Sequence, residues 1–347
     1  MNRLKIYRYF DIAIERQASD LHLKAGSPPV IRVGGKLVSL AEEPLAFQEM
    51  PNLFLPLMEL KDQQDLKTRF EANFMTQYKS RFRIRACIYA QRGCLSGAFR
   101  FIPQNAPSIE SLGLPPILKD IAHMSRGLFL VTGPANSGKT HTLAAIINEI
   151  NKTSARHIIT IEDPIEFVHR ERKSIFTQRE IGVTTNSYSS ALMNALREDP
   201  DVILVGEMRD VDTIEMVLTA AETGHLVFST LHTVGAVQTI DRIVNMFPGH
   251  RHDEIRTQLS MSLIGLISQI LLPSLHKKER VMAHEIMIMN SAMRNQIREK
   301  KTNQLKSALM LARKEGCKTL KDSLAEIIKD ERVDPKIISN IMREIVE

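Results

Sequence analysis

Gly133-Pro-Ala-Asn-Ser-Gly-Lys-Thr140 is a full G-x-x-x-x-G-K-[ST] pattern, the sequence of a phosphate-binding loop. The apolar run 127–131 precedes it and the helix-like run 143–147 follows it, so the loop is predicted to join a strand to a helix. Backbone N–H groups and the positive end of the helix dipole then face a bound phosphate. The predicted nucleotide-binding residues are Gly133, Pro134, Ala135, Asn136, Ser137, Gly138, Lys139 and Thr140.

Two side chains of this loop have more specific expected roles. Lys139 is expected to reach the β- and γ-phosphates, and the Thr140 hydroxyl is expected to bind Mg²⁺. The pattern therefore predicts a nucleoside triphosphate together with Mg²⁺ as the ligand.

Composition excludes several classes of protein. The chain has 347 residues, 43% hydrophobic and 25% charged, which predicts two or three globular domains. Its longest apolar stretch, 263–272, is interrupted by Ser268 and Gln269 and is shorter than the ~18 residues of a membrane span. The N-terminus has no apolar core typical of a secretion signal, so a cytoplasmic location is expected. Cys87, Cys94 and Cys317 are too scattered for a disulfide framework and are expected to be thiols.

The net charge of +6 is spread along the chain rather than concentrated in a block. The sequence has no Trp and only five Tyr, so it offers few platforms on which bases could stack. A nucleic-acid partner is therefore not expected.

The first part of the chain, residues 1–103, is predicted to be a small α+β domain. Helical patterns cover 3–17 and 43–70, and strand patterns cover 81–89 and 94–102. Short alternating runs on either side of Gly34-Gly35 predict a hairpin.

A polar, proline-bearing stretch predicts a linker at 104–113, and residues 114–347 are predicted to form an α/β domain. Strand patterns at 128–132, 157–161, 202–205 and 226–229 alternate with helical ones, as a mainly parallel sheet requires. Beyond residue 290, helical patterns predict a C-terminal helical cap over about 291–347. The predicted fold class is α/β, with an α+β domain in front of the nucleotide-binding core.

Three carboxylates are candidates for catalysis because they follow predicted strands, where α/β folds bind ligands. Glu207 ends the apolar run 202–207, where a Walker B acid is expected, although Asp is more usual there; it is predicted to bind Mg²⁺. Glu166 is the preferred base that activates water, and Glu162 is the second candidate. Each of these acids also has a structural interpretation, as a capping or solvated carboxylate.

His225 and His232 lie on either side of the predicted strand 226–230. One of them is a candidate sensor of the γ-phosphate: His232 is assigned to catalysis and His225 to nucleotide binding. They lack the companion ligands of a metal site, and two such histidines are also common as structural residues.

Taken together, the motifs resemble those of the secretion-superfamily ATPases, and most of all the retraction ATPases of type IV pili and twitching motility. After the Walker A loop come segments similar to the family's aspartate, Walker B and histidine boxes: Thr160-Ile-Glu-Asp-Pro-Ile-Glu166, Leu196-Arg-Glu-Asp-Pro-Asp201, Val205-Gly-Glu-Met-Arg-Asp210 and Gly224-His-Leu-Val-Phe-Ser-Thr-Leu-His-Thr233. The resemblance runs from Ala18-Ser-Asp-Leu-His22 to Asp241-Arg-Ile-Val244.

The resemblance implies a PAS-like N-terminal domain, a RecA-like ATPase core and a homohexameric ring that hydrolyses ATP with Mg²⁺. It implies work at the cytoplasmic face of the inner membrane, on a pilus platform protein and indirectly on pilin. By motif position, Arg85 and Arg100 are implied as N-domain arginines that act on the phosphates, with Arg92 a weaker third.

The sequence departs from the family pattern in two places, and several functions remain open. Asn136 stands where the retraction family usually has Gly, and Ala292-Met-Arg-Asn-Gln-Ile-Arg-Glu299 changes two apolar positions of a retraction signature. An accessory retraction paralogue is therefore an alternative to a retraction motor, as is a pilus-assembly or type II secretion ATPase. A structural ring subunit that binds nucleotide without turnover and a RecA-like DNA motor are more distant alternatives.

Overall fold

The computed structural model describes residues 2–79, 82–103, 105–276 and 280–346. The chain divides into two units, Met1–Asn105 and Ala106–Glu347. Residues 106–113, predicted as linker, pack within the second unit, where Ile109 is 1% exposed and joins the core around Leu118 and Ile146.

The first unit is an α+β layer built on an antiparallel sheet. Its described strands have the order β3-β2-β1-β6-β5-β4. The predicted hairpin joins β2 to β3 through Gly34 and Gly35, both with positive φ, and Phe10, Phe54 and Phe99 meet in the core. The elements are α1 (Asn2–Glu15), β1 (Asp20–Lys24), β2 (Val30–Val33), β3 (Lys36–Ser39), α2 (Met50–Phe54), α3 (Leu60–Arg69), β4 (Glu71–Tyr78), β5 (Phe82–Gln91) and β6 (Cys94–Pro103).

The helix predicted over 43–70 is divided into two, α2 and α3, which corrects the sequence interpretation. Pro51 lies in the first turn of α2, where a proline is tolerated, but Pro56 follows its end in a 3₁₀ turn. Proline lacks the N–H that would continue the helix, and the chain is extended at Met58 before α3 begins. A capping box of Glu59 and Asp62 starts that second helix.

The second unit is an α/β layer on a sheet of order β13-β12-β7-β11-β10-β8-β9 within the described residues. Strands β7 to β12 run parallel to their neighbours and β13 is antiparallel to β12. The four predicted strands are present as β7, β8, β10 and β11. The elements are α4 (Ile117–His123), β7 (Gly127–Thr132), α5 (Lys139–Thr153), β8 (His157–Glu162), β9 (Ile175–Glu180), α6 (Tyr188–Ala195), β10 (Val202–Val205), α7 (Val211–Glu222), β11 (Leu226–Leu231), α8 (Ala236–Asn245), α9 (His252–Ser262), β12 (Leu263–Pro273), β13 (Arg280–Ile288), α10 (Ser291–Arg298), α11 (Leu305–Leu311), α12 (Leu320–Lys329) and α13 (Pro335–Val346).

Helices cover both faces of this sheet, so the central strands are buried on both sides. Leu128 and Leu130 of β7 face the core formed with α6 to α9, whereas Phe129 and Val131 face α4 and α5. The predicted C-terminal helical region consists of α10 to α13, of which α12 packs against β13. Among the described residues, no helix combines the length and apolarity needed to cross a bilayer.

Candidate active site

Polar residues from four neighbouring strands meet at one edge of the second sheet. The phosphate-loop sequence follows β7, His232 follows β11, Glu207 follows β10, and Glu162 is the last residue of β8. Because these strands are parallel and adjacent in the order β7-β11-β10-β8, their carboxyl ends lie side by side. That edge is where open α/β sheets bind ligands.

The loop has the backbone conformation that its sequence requires. Gly133 and Gly138 have φ of 138° and 89°, and Asn136 has a φ of 62°, a left-handed conformation that Asn tolerates better than most residues. A Cβ on Gly133 would lie 2.2 Å from the backbone oxygen of Gln269 on β12, so glycine is required by close packing as well as by φ. Asn136 is therefore compatible with the loop.

Lys139 begins α5 and turns its ammonium back over the loop. Its Nζ donates hydrogen bonds to the backbone oxygens of Gly133 at 2.8 Å and Pro134 at 2.9 Å. Desolvation lowers the pKa of Lys139, and the nearby charge of Glu207 opposes that shift. The ammonium therefore lies over the loop, within electrostatic range of the Glu207 carboxylate.

The loop also has a polar atom suited to an anion. Ser137 is 2% exposed, and its Oγ is buried without a hydrogen-bond partner among the described residues. Buried hydroxyls normally form hydrogen bonds. An unpaired hydroxyl in a phosphate-loop sequence is therefore suited to a hydrogen bond with a bound ligand. Thr140 and Glu207 offer hard oxygen donors of the kind that Mg²⁺ binds together with substrate phosphates.

Lys139, His232 and Glu207 form a continuous polar chain. His232 Nδ1 lies 3.5 Å from Lys139 Nζ, and His232 Nε2 lies 3.2 Å from Glu207 Oε2. A neutral imidazole protonated at Nε2 satisfies both contacts, because Nε2 donates to the carboxylate while Nδ1 accepts from the ammonium. The structure thus brings together three residues predicted from separate motifs.

Arg209 also belongs to this site, although the sequence motifs did not predict a role for it. Its guanidinium pairs with Glu207 and also lies 3.6 Å from Asp163 Oδ2, which follows β8. Its position two residues after Glu207, within Val205-Gly-Glu-Met-Arg-Asp210, was the available signal. Arg209 thus links the ends of β10 and β8.

Glu162 and Glu166 lie on one turn beside the start of α5. The Glu162 carboxylate accepts hydrogen bonds from Thr160 Oγ1 at 2.8 Å and from the backbone N–H of Glu166. The charges of Glu166 and His141 interact, and Phe167 packs edge-on against His141, which follows Thr140. Glu166 therefore lies within electrostatic range of His141, in the first turn of the phosphate-loop helix, and the next residue, Phe167, packs on that turn.

Desolvation raises the pKa of Glu162 to about 7, and the charge of Glu166 adds to that shift. Hydrogen bonds from Thr160 and Gln178 act in the opposite direction. Gln178 lies on β9, a strand that was not predicted. Glu162 consequently orders the turn that carries Glu166, in addition to being a candidate base.

Replacing Glu162 with Gln is expected to change the pH dependence of stability. The folded pKa is above the unfolded one of 4.5, so the wild type loses stability as the pH rises from about 4.5 to about 7. Glu162→Gln removes that loss, so the unfolding free energy of the variant, measured relative to the wild type, should be about 3 kcal/mol higher at pH 8 than at pH 4. Urea unfolding between pH 4 and pH 8 measures it.

A difference between Glu162→Gln and the wild type that stays constant between pH 4 and pH 8 would contradict the burial of charge at Glu162.

His225 does not lie with the other site residues. It precedes β11, whereas His232 follows it, so the strand separates them by roughly 20 Å. His225 Nδ1 lies 2.9 Å from the backbone oxygen of Ala220 and 3.2 Å from Thr223 Oγ1, at the end of α7. This placement at the opposite edge of the sheet supports a structural role and does not support the predicted nucleotide contact.

Arg85, Arg100 and Arg92 belong to the first unit. Arg85 and Arg100 are directly paired across β5 and β6, and Arg92 lies in the two-residue turn between these strands with a φ of 49°. Arg100 Nε donates to Asp20 Oδ1 at 2.8 Å. Burial acts to raise the pKa of Asp20, but hydrogen bonds from Ser19 and Arg100 hold it below its ordinary value.

Comparisons with known proteins agree on one family. Residues 5–328 match the family described as Type II/IV secretion system protein. The chain is 46% identical over 303 residues to the type IV pilus retraction ATPase PilT of Pseudomonas aeruginosa, covering 87% of this chain and 88% of that protein. It is 44% identical over 308 residues to a twitching motility protein of Neisseria gonorrhoeae, covering 89% and 82% of the two chains.

A solved structure supports the same assignment. The crystal structure of the pilus retraction motor PilT with bound ADP superimposes with a TM-score of 0.85 at 43% identity, over 94% of this chain and 93% of that one. The predicted fold class, an α+β unit before an α/β ATPase core, is confirmed by this match. The chain therefore belongs to the Type II/IV secretion system protein family, and it is one of the ATPases of that family.

Proposed function

We propose that the protein uses ATP hydrolysis to drive retraction of a type IV pilus. The observation that carries the proposal is the series of side-chain contacts from Lys139 through His232 to Glu207, next to the phosphate loop. The similarity to retraction and twitching proteins over almost the whole chain supports the direction of the movement.

In the proposed site, the loop 133–140 holds the triphosphate through its backbone N–H groups. Lys139 leaves the carbonyls of Gly133 and Pro134 to contact the β- and γ-phosphates. Thr140 and Glu207 would hold Mg²⁺, which would supply positive charge to the phosphates when bound. Glu207 must exchange part of its pairing with Arg209 for this role.

Hydrolysis then needs a base and a sensor. Glu166 is proposed to accept a proton from the attacking water, because it follows the carboxyl end of β8 and its charge acts on His141 in the first turn of α5. His232 is proposed to sense the γ-phosphate, since its ring contacts both Lys139 and Glu207. Movement of Lys139 on nucleotide binding would change the partner of His232 Nδ1.

We further propose that six copies form a ring at the inner face of the cytoplasmic membrane, where they act on a pilus platform protein and through it on pilin. Arg85 and Arg100 are proposed to neutralise charge that develops on the phosphates. The ring and its location rest on the family resemblance. The role of the arginines rests on that resemblance and on their pairing across two adjacent strands.

The altered segment 292–299 is still anchored in the second unit by buried and hydrogen-bonded side chains. Met293 is fully buried, and Arg294 donates to the backbone oxygens of Ser260 at 2.6 Å and Met261 at 3.0 Å, near the end of α9. Of the two changed positions, Met293 preserves an apolar contact, so the polar substitution at Gln296 is the departure that favours an accessory retraction paralogue.

Deletion of the gene separates these functions. Loss of a retraction motor should increase the number of surface pili and abolish twitching, because assembly then continues without removal. Piliation is counted by electron microscopy in the deletion strain and in the same strain complemented with wild type. A strain without pili would instead identify an assembly ATPase, and unchanged piliation and twitching would identify an accessory protein.

A further inference from the structure

Gln269 is a polar residue in the middle of β12, within the apolar stretch 263–272. It is 1% exposed, although burying an amide is unfavourable unless its polar atoms are paired. Both ends of the side chain are in fact paired, and both partners belong to the phosphate-loop region.

The Gln269 amide forms hydrogen bonds with the phosphate-loop region on both sides of Lys139. Gln269 Nε2 donates to the backbone oxygen of Ser137 at 2.8 Å, and Gln269 Oε1 accepts from Thr142 Oγ1 at 2.9 Å. Thr142 lies in the first turn of α5 and is 2% exposed. One buried side chain therefore ties the loop to the start of its helix.

Strand register explains why this residue reaches the loop. Ser268 pairs with Thr132, the last residue of β7, so Gln269 lies abreast of Gly133. An irregularity between Leu263 and Gly265 sets this register, and a slip of one residue would turn Gln269 to the other face. Gly265 is needed there, because a Cβ would lie 2.7 Å from the backbone oxygen of Met287.

The contact with Ser137 orients the peptide that follows it. In a trans peptide the C=O of one residue and the N–H of the next point in opposite directions. Drawing the Ser137 oxygen toward Gln269 therefore directs the Gly138 N–H away from β12, the orientation that an anion-binding loop needs. Arg280 of β13 acts similarly on the preceding peptide, since it donates to the Asn136 oxygen at 3.0 Å.

We infer that Gln269 is a positioning residue of the ATP site, which holds the phosphate loop in its binding conformation before nucleotide arrives. The inference deepens the site proposed above and rests on it. Gln269 contacts the loop from outside and does not touch the reacting atoms, so its effect should appear in affinity for the phosphates.

Gln269→Met removes both hydrogen bonds at nearly constant volume. We expect affinity for ADP and for pyrophosphate to fall by the same factor, about 10- to 100-fold, because one buried loop carbonyl loses its donor. Thr142→Val, which leaves the bond to Ser137 in place, should weaken both by a smaller factor. Calorimetry on the full chain gives the two dissociation constants, and thermal unfolding of each variant shows whether it folds.

Ser268→Ala is the matched control. Ser268 is the adjacent residue, is 4% exposed, and its Oγ accepts a partly buried hydrogen bond from the Gly235 N–H on the other face of the strand. This variant should lose stability but keep the pyrophosphate affinity of the wild type.

The inference is overturned if Gln269→Met is destabilised while its pyrophosphate and ADP affinities stay within twofold of wild type. If Gln269→Met does not fold, wild-type affinity in Thr142→Val overturns it in the same way. A wild-type protein that binds neither ADP nor pyrophosphate would instead refute the phosphate site itself.

Discussion

Replacing Lys139 with Ala is expected to lower kcat for ATP hydrolysis by a factor of about 1,000 or more, because the transferred phosphoryl group loses its main fixed positive charge. The fold should be retained, since the hydrogen bonds described for the ammonium go only to two loop carbonyls and to the exposed ring of His232. Phosphate release by the purified protein, with thermal unfolding alongside, measures both effects.

Lys152→Ala is a suitable control for this experiment. Lys152 lies on the same helix, α5, in its last turn and so at the end remote from the loop. Its removal should leave kcat unchanged. ATPase activity of Lys139→Ala within tenfold of wild type would show that the loop 133–140 is not the site of hydrolysis.

Replacing Glu166 with Gln is expected to preserve ATP binding and to reduce hydrolysis by a factor of about 100 to 10,000, the range that a general base contributes. The amide keeps the size of the side chain but has no lone pair basic enough to accept the proton from water. Single-turnover assays with prebound ATP separate the two steps, because ATP should remain intact on the variant.

Glu162→Gln distinguishes the two candidate bases in the same assay. Glu162 accepts the backbone N–H of Glu166, so its amide variant should disturb the turn and have a smaller effect on hydrolysis than Glu166→Gln. Full activity in Glu166→Gln, with hydrolysis lost in Glu162→Gln, would transfer the role of base to Glu162.

Local sequence patterns were most informative where the structure depends on local chemistry. The loop 133–140 could be predicted because its glycines, lysine and threonine are each needed for the loop's backbone conformation or its charge. All of these residues lie within eight consecutive positions. Strands β7, β8, β10 and β11 could be predicted because strands buried on both faces are mostly apolar over several consecutive residues.

Some features were missed although a local signal was present. Pro56 ends the segment that was predicted to be one helix. His225 and His232 are separated by a complete strand, so that a single parallel strand carries them to opposite edges of the sheet.

The identity of the phosphate loop, the acids that follow the strands and the α/β class were thus determined by the sequence itself, because they depend on residue type and spacing. Only the tertiary structure decided which acid lies beside His232, that Arg209 joins the site, and that Gln269 grips the loop from β12. Apart from the pairing of Arg209 with Glu207, these contacts join residues 25 to 132 positions apart, and they follow from strand order and register, which no short stretch of sequence encodes.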